Sequence, residues 1–315
     1  MVMVRIAVCI CTCDRLASLA RVLDVLERVD IGQLAPVCVD VIVVDNRPDG
    51  RVQALCEEYA ARLPMRLECI EETQRGISFA RNRAVAEARA RDADFVAFLD
   101  DDDLPERDWL GRLIDVQRAT NADFVFGFWR LPADLKLPGW LRQTRYFRPP
   151  DPDARNRYGL PAWAGTYNLL AAMTALVRLS GPDGPFLPEF AHSSGEDSDL
   201  FIRAHRAGFS HACALQSIVV RTWEPERLTL RGILRRGFVL GGARVHLARA
   251  HQPAAQTRRL VWSSWRKLGK SLLQLPLAIT GRSGLVDPML ATAQALGEIY
   301  AWTGQRYTYY LRRRG

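Results

Sequence analysis

Between Val4 and Leu99 the chain switches repeatedly between two hydrophobic periods, and this alternation restricts the possible folds more than any other feature. Val4 to Cys11, Val37 to Val44, Met65 to Glu71 and Phe95 to Leu99 are short, nearly continuous apolar runs, which predicts buried strands. Between them, Leu16 to Glu27, Gln53 to Leu63 and Ile77 to Arg91 carry apolar residues at helical spacing. Strands alternating with helices of this length build a largely parallel sheet covered on both faces, so the expected fold class is α/β. Ser210 to Thr222 reads as a closing strand. Ligands of such sheets bind at the carboxyl ends of strands. Polar groups stand at those ends: Thr12 to Arg15 after the first strand, Asp45 after the second, and Asp100 to Asp103 after a later one.

The last of these groups is the most specific. On an extended backbone, side chains two apart point the same way, which predicts Asp100 and Asp102 on one side with about 7 Å between their Cα atoms. Paired carboxylates suit a hard divalent cation, Mg²⁺ or Mn²⁺, that keeps open positions for the oxygens of a diphosphate. The plain alternative is a solvated acidic turn. Further on, Glu196, Asp197 and Asp199 follow Gly195 and precede Leu200, Phe201, Ala204 and Ala207 at helical spacing. Carboxylates in a first helical turn are stabilised by free N–H groups and the helix dipole, so they read as a cap. Opposite a metal-bound leaving group they also read as the base that deprotonates an attacking hydroxyl. Gly76, Arg81 and Asn82 combine a glycine, a helix start and a cation, which suits a diphosphate or an ordinary surface helix. Asp45, followed by Pro48 and Gly50, either starts a turn or accepts hydrogen bonds from a base or ribose.

Charge is distributed unevenly. The net charge is +8, yet from Glu226 onward sixteen Lys/Arg face three acids, a balance of +13, while the preceding residues carry −5. Apolar residues, Trp262 and Trp265 among them, interleave with those cations, which suits helices lying on an anionic membrane surface or an ordinary helical subdomain. No nucleic-acid-reading motif accompanies the charge, so nucleic acid is not expected as a partner. The expected organisation is a catalytic domain over 1–225 and a basic amphipathic helical tail over 226–315. No apolar run reaches the length of a membrane span, and Met1 to Ile10 lacks the pattern of a secretory signal. Seven cysteines (9, 11, 13, 38, 56, 69 and 213) lack the spacing of a disulfide framework and point to a reducing cytoplasm. Cys9, Cys11 and Cys13 share a strand face but lack partners at zinc spacing, so they read as small apolar fillers. Trp129, Trp140, Tyr146, Phe147, Tyr158, Trp163 and Tyr167 lie in an irregular stretch and are expected to offer aromatic faces to a sugar or to pack a long loop.

Taken in order, Ile10-Cys-Thr12-Cys-Asp-Arg15, Val43-Val-Asp45-Asn46, Arg75-Gly76-Ile-Ser-Phe-Ala-Arg81-Asn82, Phe98-Leu-Asp100-Asp-Asp102-Asp-Leu-Pro105 and Gly195-Glu196-Asp197-Ser-Asp199-Leu resemble the motifs of family 2 glycosyltransferases. The resemblance covers roughly residues 4 to 240 and lies nearest to bacterial exopolysaccharide glucosyltransferases of the succinoglycan type. It implies a GT-A nucleotide-sugar-binding fold, Rossmann-like, with a C-terminal helical extension. It further implies that Asp45 holds the uracil or ribose of a UDP-sugar donor, with Thr12, Arg15, Gly76, Arg81, Asn82 and Asp101 around the nucleotide sugar. Asp100 and Asp102 would bind Mg²⁺ or Mn²⁺ on its diphosphate. Asp197, with Glu196 beside it, would be the base of an inverting transfer to a glycan or lipid-linked acceptor in cell-surface polysaccharide biosynthesis, at the inner face of the cytoplasmic membrane. Cys11 departs from the pattern, where a proline often precedes the threonine. The Gln-x-x-Arg-Trp motif of processive synthases is absent, which favours addition of single sugars. A nucleotidyl- or phosphosugar transferase, and a non-enzymatic peripheral membrane protein that binds nucleotide sugar, are the competing readings.

Overall fold

The computed structural model describes residues 3–31, 36–142, 147, 150–279 and 286–305. Tyr146 and the cations Arg282, Arg306, Arg312, Arg313 and Arg314 lie outside these residues. The first hundred residues form β1 (Val4–Thr12), α1 (Leu16–Leu26), β2 (Val37–Asp45), α2 (Arg51–Ala60), β3 (Arg66–Glu71), α3 (Ile77–Ala90) and β4 (Phe95–Asp100). The chain continues through β5 (Asp103–Pro105), α4 (Trp109–Thr120), β6 (Phe124–Arg130), a single turn α5 (Gly139–Arg142), β7 (Asn168–Ala172), α6 (Met173–Leu179), α7 (Glu196–Arg206) and β8 (His211–Arg221). The helices α8 (Leu230–His251), α9 (Ala254–Ile279) and α10 (Val286–Trp302) complete it.

One sheet of eight strands runs in the order β3-β2-β1-β4-β7-β6-β8-β5. The strands β1 to β4 pair in parallel, and β7 enters antiparallel between β4 and β6. The fold is thus mixed α/β with a parallel half. The alternation of side chains along β1 explains why its run is apolar throughout. Ile6, Val8 and Ile10 pack with Leu19, Leu23 and Leu26 of α1 and with Trp109 and Leu113 of α4. Ala7 and Cys9 face the other layer, with Ala80, Ala84 and Ala88 of α3 and Leu200 and Phe201 of α7. A strand buried on both faces has no polar side to alternate with. All seven cysteines are free, and burial raises the Cys9 thiol well above its ordinary pKa.

Gly76 shows how tightly α3 is seated. Its φ of 138° is in the range that favours glycine, and a Cβ there would lie 2.7 Å from the Cβ of Ala191. The adjacent Ile77 N–H donates to the Ala191 carbonyl at 2.9 Å.

The chain divides into two compact units, one of residues 1–132, 150–191 and 196–222, the other of 133–149, 192–195 and 223–315. In the second unit, the Thr229 hydroxyl caps α8 by accepting from the Gly232 N–H at 3.1 Å. Small residues let α8 and α10 meet backbone to backbone: a Cβ on Gly297 would fall 1.9 Å from the Phe238 carbonyl oxygen. Glu298 of α10, with no exposure, is answered by Arg244 at 2.6 Å, by Lys267 at 3.5 Å and by the Ser264 hydroxyl. Among the described residues, no helix is long and apolar enough to cross a membrane.

Candidate active site

The carboxyl ends of β1, β2 and β4 lie side by side, with Thr12 opposite Asp45 and Cys11 opposite Asp100. Asp14, at φ 56°, turns the chain after β1, a conformation that aspartate tolerates. Beyond that turn, Arg15 donates to Asp101 at 2.7 Å and to Asp102 at 2.9 Å. The Thr12 hydroxyl donates to the other Asp101 oxygen at 2.8 Å. Asp101 is thereby buried and fully engaged; burial pushes its carboxyl above the usual range, while Arg15 and Thr12 pull it down. Thr12, Arg15 and Asp101 form a brace beneath the acidic loop.

Contrary to what the pleat predicts, Asp100 and Asp102 do not share the face of one extended strand. Strand β4 ends at Asp100, and Asp101 and Asp102 occupy a turn, so the carboxylates converge because the backbone bends. Asp100, Asp102 and Asp103 bring oxygens within 4.8 Å of one another. Asp103 was not singled out from the sequence. It is completely buried and receives Arg221 of β8 through two hydrogen bonds, at 3.1 and 3.0 Å. Burial pushes the Asp103 carboxyl up, opposed by the Arg221 charge. The Arg221 guanidinium also stacks on Tyr167 and Trp129, 4.3 and 4.9 Å from their ring centres. Asp103 is committed to Arg221, while Asp100 and Asp102, although they also meet Arg81 and Arg15, are only half-buried, and carboxylate donors of this kind fit Mg²⁺ or Mn²⁺.

Across from this cluster, α7 places Glu196 and Asp197 in its first turn. The two differ in freedom. Arg81 of α3 is buried and makes an ion pair with Glu196, while its second terminal nitrogen lies 3.4 Å from Asp100. One guanidinium therefore ties the end of β4 to the start of α7. Burial pushes Glu196 up, against the field of Arg81. Asp197 is half-buried, and its Oδ1 accepts from the Ser198 N–H at 2.6 Å. Its Oδ2 accepts no hydrogen bond from the described residues and faces Gly165, where a Cβ would stand 3.5 Å away. Burial raises the pKa of the Asp197 carboxyl, opposed by the charge of Arg81. Asp199 is fully buried and paired with Arg203 at 2.8 Å, a structural contact.

Asp45 is buried at the end of β2, where its carboxylate accepts from the Arg47 N–H at 2.9 Å. Burial raises its pKa. Its neighbour Asn46 organises the loop before α3: the side-chain amide donates to the carbonyls of Glu72 and Gln74 at 3.1 and 2.8 Å and accepts from the Gly76 N–H at 2.7 Å. The Asn82 side chain is engaged by the backbone of Phe186. Its amide donates to the Phe186 carbonyl at 2.8 Å and accepts from the Phe186 N–H at 2.9 Å, clamping that segment. The expected aromatic platforms are mostly interior: Trp129, Phe147, Trp163 and Tyr167 are buried, Tyr158 is half-buried and Trp140 is exposed. Trp163, for instance, meets Phe128 edge to face at 5.0 Å.

A parallel half-sheet with carboxylates at its strand ends, joined to a mixed half and faced by a helix whose first turn carries a second carboxylate pair, is the layout of a GT-A glycosyltransferase. The chain belongs to glycosyl transferase family 2, whose family model matches residues 7–169. Among curated proteins it is similar to the succinoglycan biosynthesis protein ExoM of Rhizobium meliloti (strain 1021), at 29% identity over 236 residues, covering 74% of this chain and 71% of that one. Among solved structures it is similar to the mannosyltransferase PcManGT from Pyrobaculum calidifontis, in complex with GDP-Man and Mn²⁺: TM-score 0.63, 18% identity, 96% of this chain and 88% of that one. It is also similar to S. aureus TarS 1-349, with TM-score 0.52, 16% identity and coverage of 96% and 93%. At these identities the structural likenesses show the fold.

Proposed function

We propose that this glycosyltransferase moves a sugar from a UDP-sugar, with inversion at the anomeric carbon, to a hydroxyl of a lipid-linked glycan in cell-surface polysaccharide biosynthesis. The work would take place at the inner, anionic face of the cytoplasmic membrane. The observation that carries this reading is the division of labour between the two carboxylate pairs. Asp100 and Asp102 bring half-buried carboxylates together with Asp103 held beside them, and Asp197 keeps one oxygen without a hydrogen bond from the described residues while Glu196 is held by Arg81.

Asp100 and Asp102 would hold Mg²⁺ or Mn²⁺, which when bound supplies positive charge to the departing diphosphate. Arg15 and Arg221 keep the acidic loop from springing apart through like-charge repulsion. Thr12 and Asp101 brace that loop, and Asp45, held in place beside Asn46, lies where the nucleoside of a donor would sit. Gly76 lets α3 approach with its N-terminus. Asp197 accepts the proton of the acceptor hydroxyl as the new C–O bond forms and the bond from the anomeric carbon to phosphate oxygen breaks. The products are the glycosylated acceptor and UDP. A carboxyl raised by burial is a stronger base than an exposed aspartate once ionised. The relative that functions in succinoglycan biosynthesis supports the polysaccharide setting. The solved structures support a nucleotide-sugar donor but differ in base, since one holds GDP-Man with Mn²⁺ and TarS 1-349 has also been seen with UDP.

Calorimetric titration of UDP and GDP into wild type and Asp102→Ala, each with Mn²⁺ and with EDTA, tests the reading. Expected is Mn²⁺-dependent binding of UDP that the substitution abolishes. Preference for GDP would overturn the UDP assignment, and no nucleotide binding under any condition would overturn the donor site.

A further inference from the structure

The helix α9 has two unlike faces. Thr257, Val261, Ser264 and Ser271 are buried at spacings that form one stripe. Val261 packs with Val245 and Ala301, and the Ser264 hydroxyl donates to the buried Glu298. At about 100° per residue, the opposite side of the helix carries Trp262, Arg266 and Leu273, with Trp265 at its margin. Trp262 is 73% exposed, Trp265 54% and Leu273 77%. Arg258, Arg259, Arg266 and Lys270 are exposed around them, and residues 254–279 contain no acidic side chain.

Leaving two indoles and a leucine in water on a single face forfeits a large share of their burial free energy. Indoles and leucine beside cations match a bilayer interface, where rings settle at headgroup depth and Lys/Arg reach lipid phosphates. A second copy of this chain fits poorly, since an isologous contact would set the same cations against each other. Nucleic acid would engage the cations but would leave Leu273 in water.

We propose that the Trp262–Trp265–Leu273 face of α9 docks the protein onto an anionic lipid bilayer, with Arg258, Arg259, Arg266 and Lys270 against the phosphates. The inference rests on the membrane-surface part of the proposed function and names the residues that make the contact. All of them are exposed, so substitutions there leave the core intact. The test is flotation of the full-length protein with vesicles of phosphatidylcholine alone and of phosphatidylcholine mixed with phosphatidylglycerol, at low and high salt. Tryptophan quenching by brominated lipid is read alongside. Expected is binding to the anionic vesicles only, lost in high salt, with quenched tryptophan emission. Arg258→Gln, Arg259→Gln and Lys270→Gln should each weaken partitioning about fivefold. The double variant Trp262→Ser/Trp265→Ser should bind more weakly and lose the quenching. Nucleotide binding in vesicle-free solution should be unchanged in every variant, so failure of the donor site and failure of the docking face are read separately. The proposal is overturned by absent binding to anionic vesicles, by tryptophan variants that bind as wild type, by self-association that those variants abolish, or by DNA displacing wild type and the tryptophan variants from vesicles equally well.

Discussion

Replacing Arg81 by methionine removes a buried cation that contacts both Glu196 and Asp100. The side chains of Arg81 and Glu196 are 8% and 7% exposed, so water cannot replace the lost partner. Breaking a buried ion pair by removing one member costs about 3–5 kcal/mol, because the remaining charge loses that partner away from water. Glu196 has an escape, which is to bind a proton, and this gives the loss a pH signature. Its pKa is already raised by burial above the ordinary 4.5, and Arg81 is the largest influence holding it down. In the variant it rises further. A carboxyl whose folded pKa is raised contributes stability that is present below its unfolded pKa and is lost as pH rises through the folded one. The deficit should therefore be smallest near pH 5 and grow toward pH 8, by about 1.4 kcal/mol for each unit of additional rise. Urea unfolding of wild type, Arg81→Met and Arg81→Met/Glu196→Gln across that range is the assay. The double variant should recover part of the loss at pH 8 and none at pH 5. A deficit below about 1 kcal/mol that ignores pH, or a double variant less stable than the single at pH 8, would refute the pairing as a buried charge contact.

Asp197→Asn should lower kcat by about 10²–10⁴ while donor affinity stays within twofold, because the base would act only on the acceptor; turnover at the wild-type rate would assign the proton to another group. Gly297→Ala puts a methyl against the Phe238 carbonyl and should destabilise the α8–α10 contact by about 1–3 kcal/mol, read by thermal unfolding of the full chain with nucleotide binding unchanged.

The parallel half was legible because its strands are buried on both faces and its helices are amphipathic, so each element announces its period locally. The predicted helix over 53–63 starts instead at Arg51, directly after Gly50 at φ 85°. Strands β6 and β7 and helix α4 were not anticipated. In β6, Gly127 sits where a Cβ would overlap the Asn168 side chain, a tertiary reason for a residue that locally weakens a strand reading. Asp100, Asp102, Glu196 and Asp197 stood out as clustered acids. What each acid does depended on partners far along the chain: Arg221 lies 118 residues from Asp103, and Arg81 lies 115 from Glu196. No local pattern reveals which of four consecutive aspartates a distant guanidinium will claim. The aromatic run was left open between sugar platforms and loop packing for the same reason; Trp129 and Tyr167 are buried and serve as stacking surfaces for Arg221.

The bond between Asp103 and Arg221 also bears on the order in which the first unit becomes stable during synthesis. Every carboxylate of the acidic loop leaves the ribosome more than a hundred residues before the side chain that neutralises Asp103. Until β8 has paired with β5, burying Asp103 would strand its charge, so a nascent chain can assemble β1 to β4 while the acidic rim stays open to water. Closure of that rim waits for the last strand to be made, and a chain truncated before residue 221 would keep all of the acids without the clasp that seats Asp103.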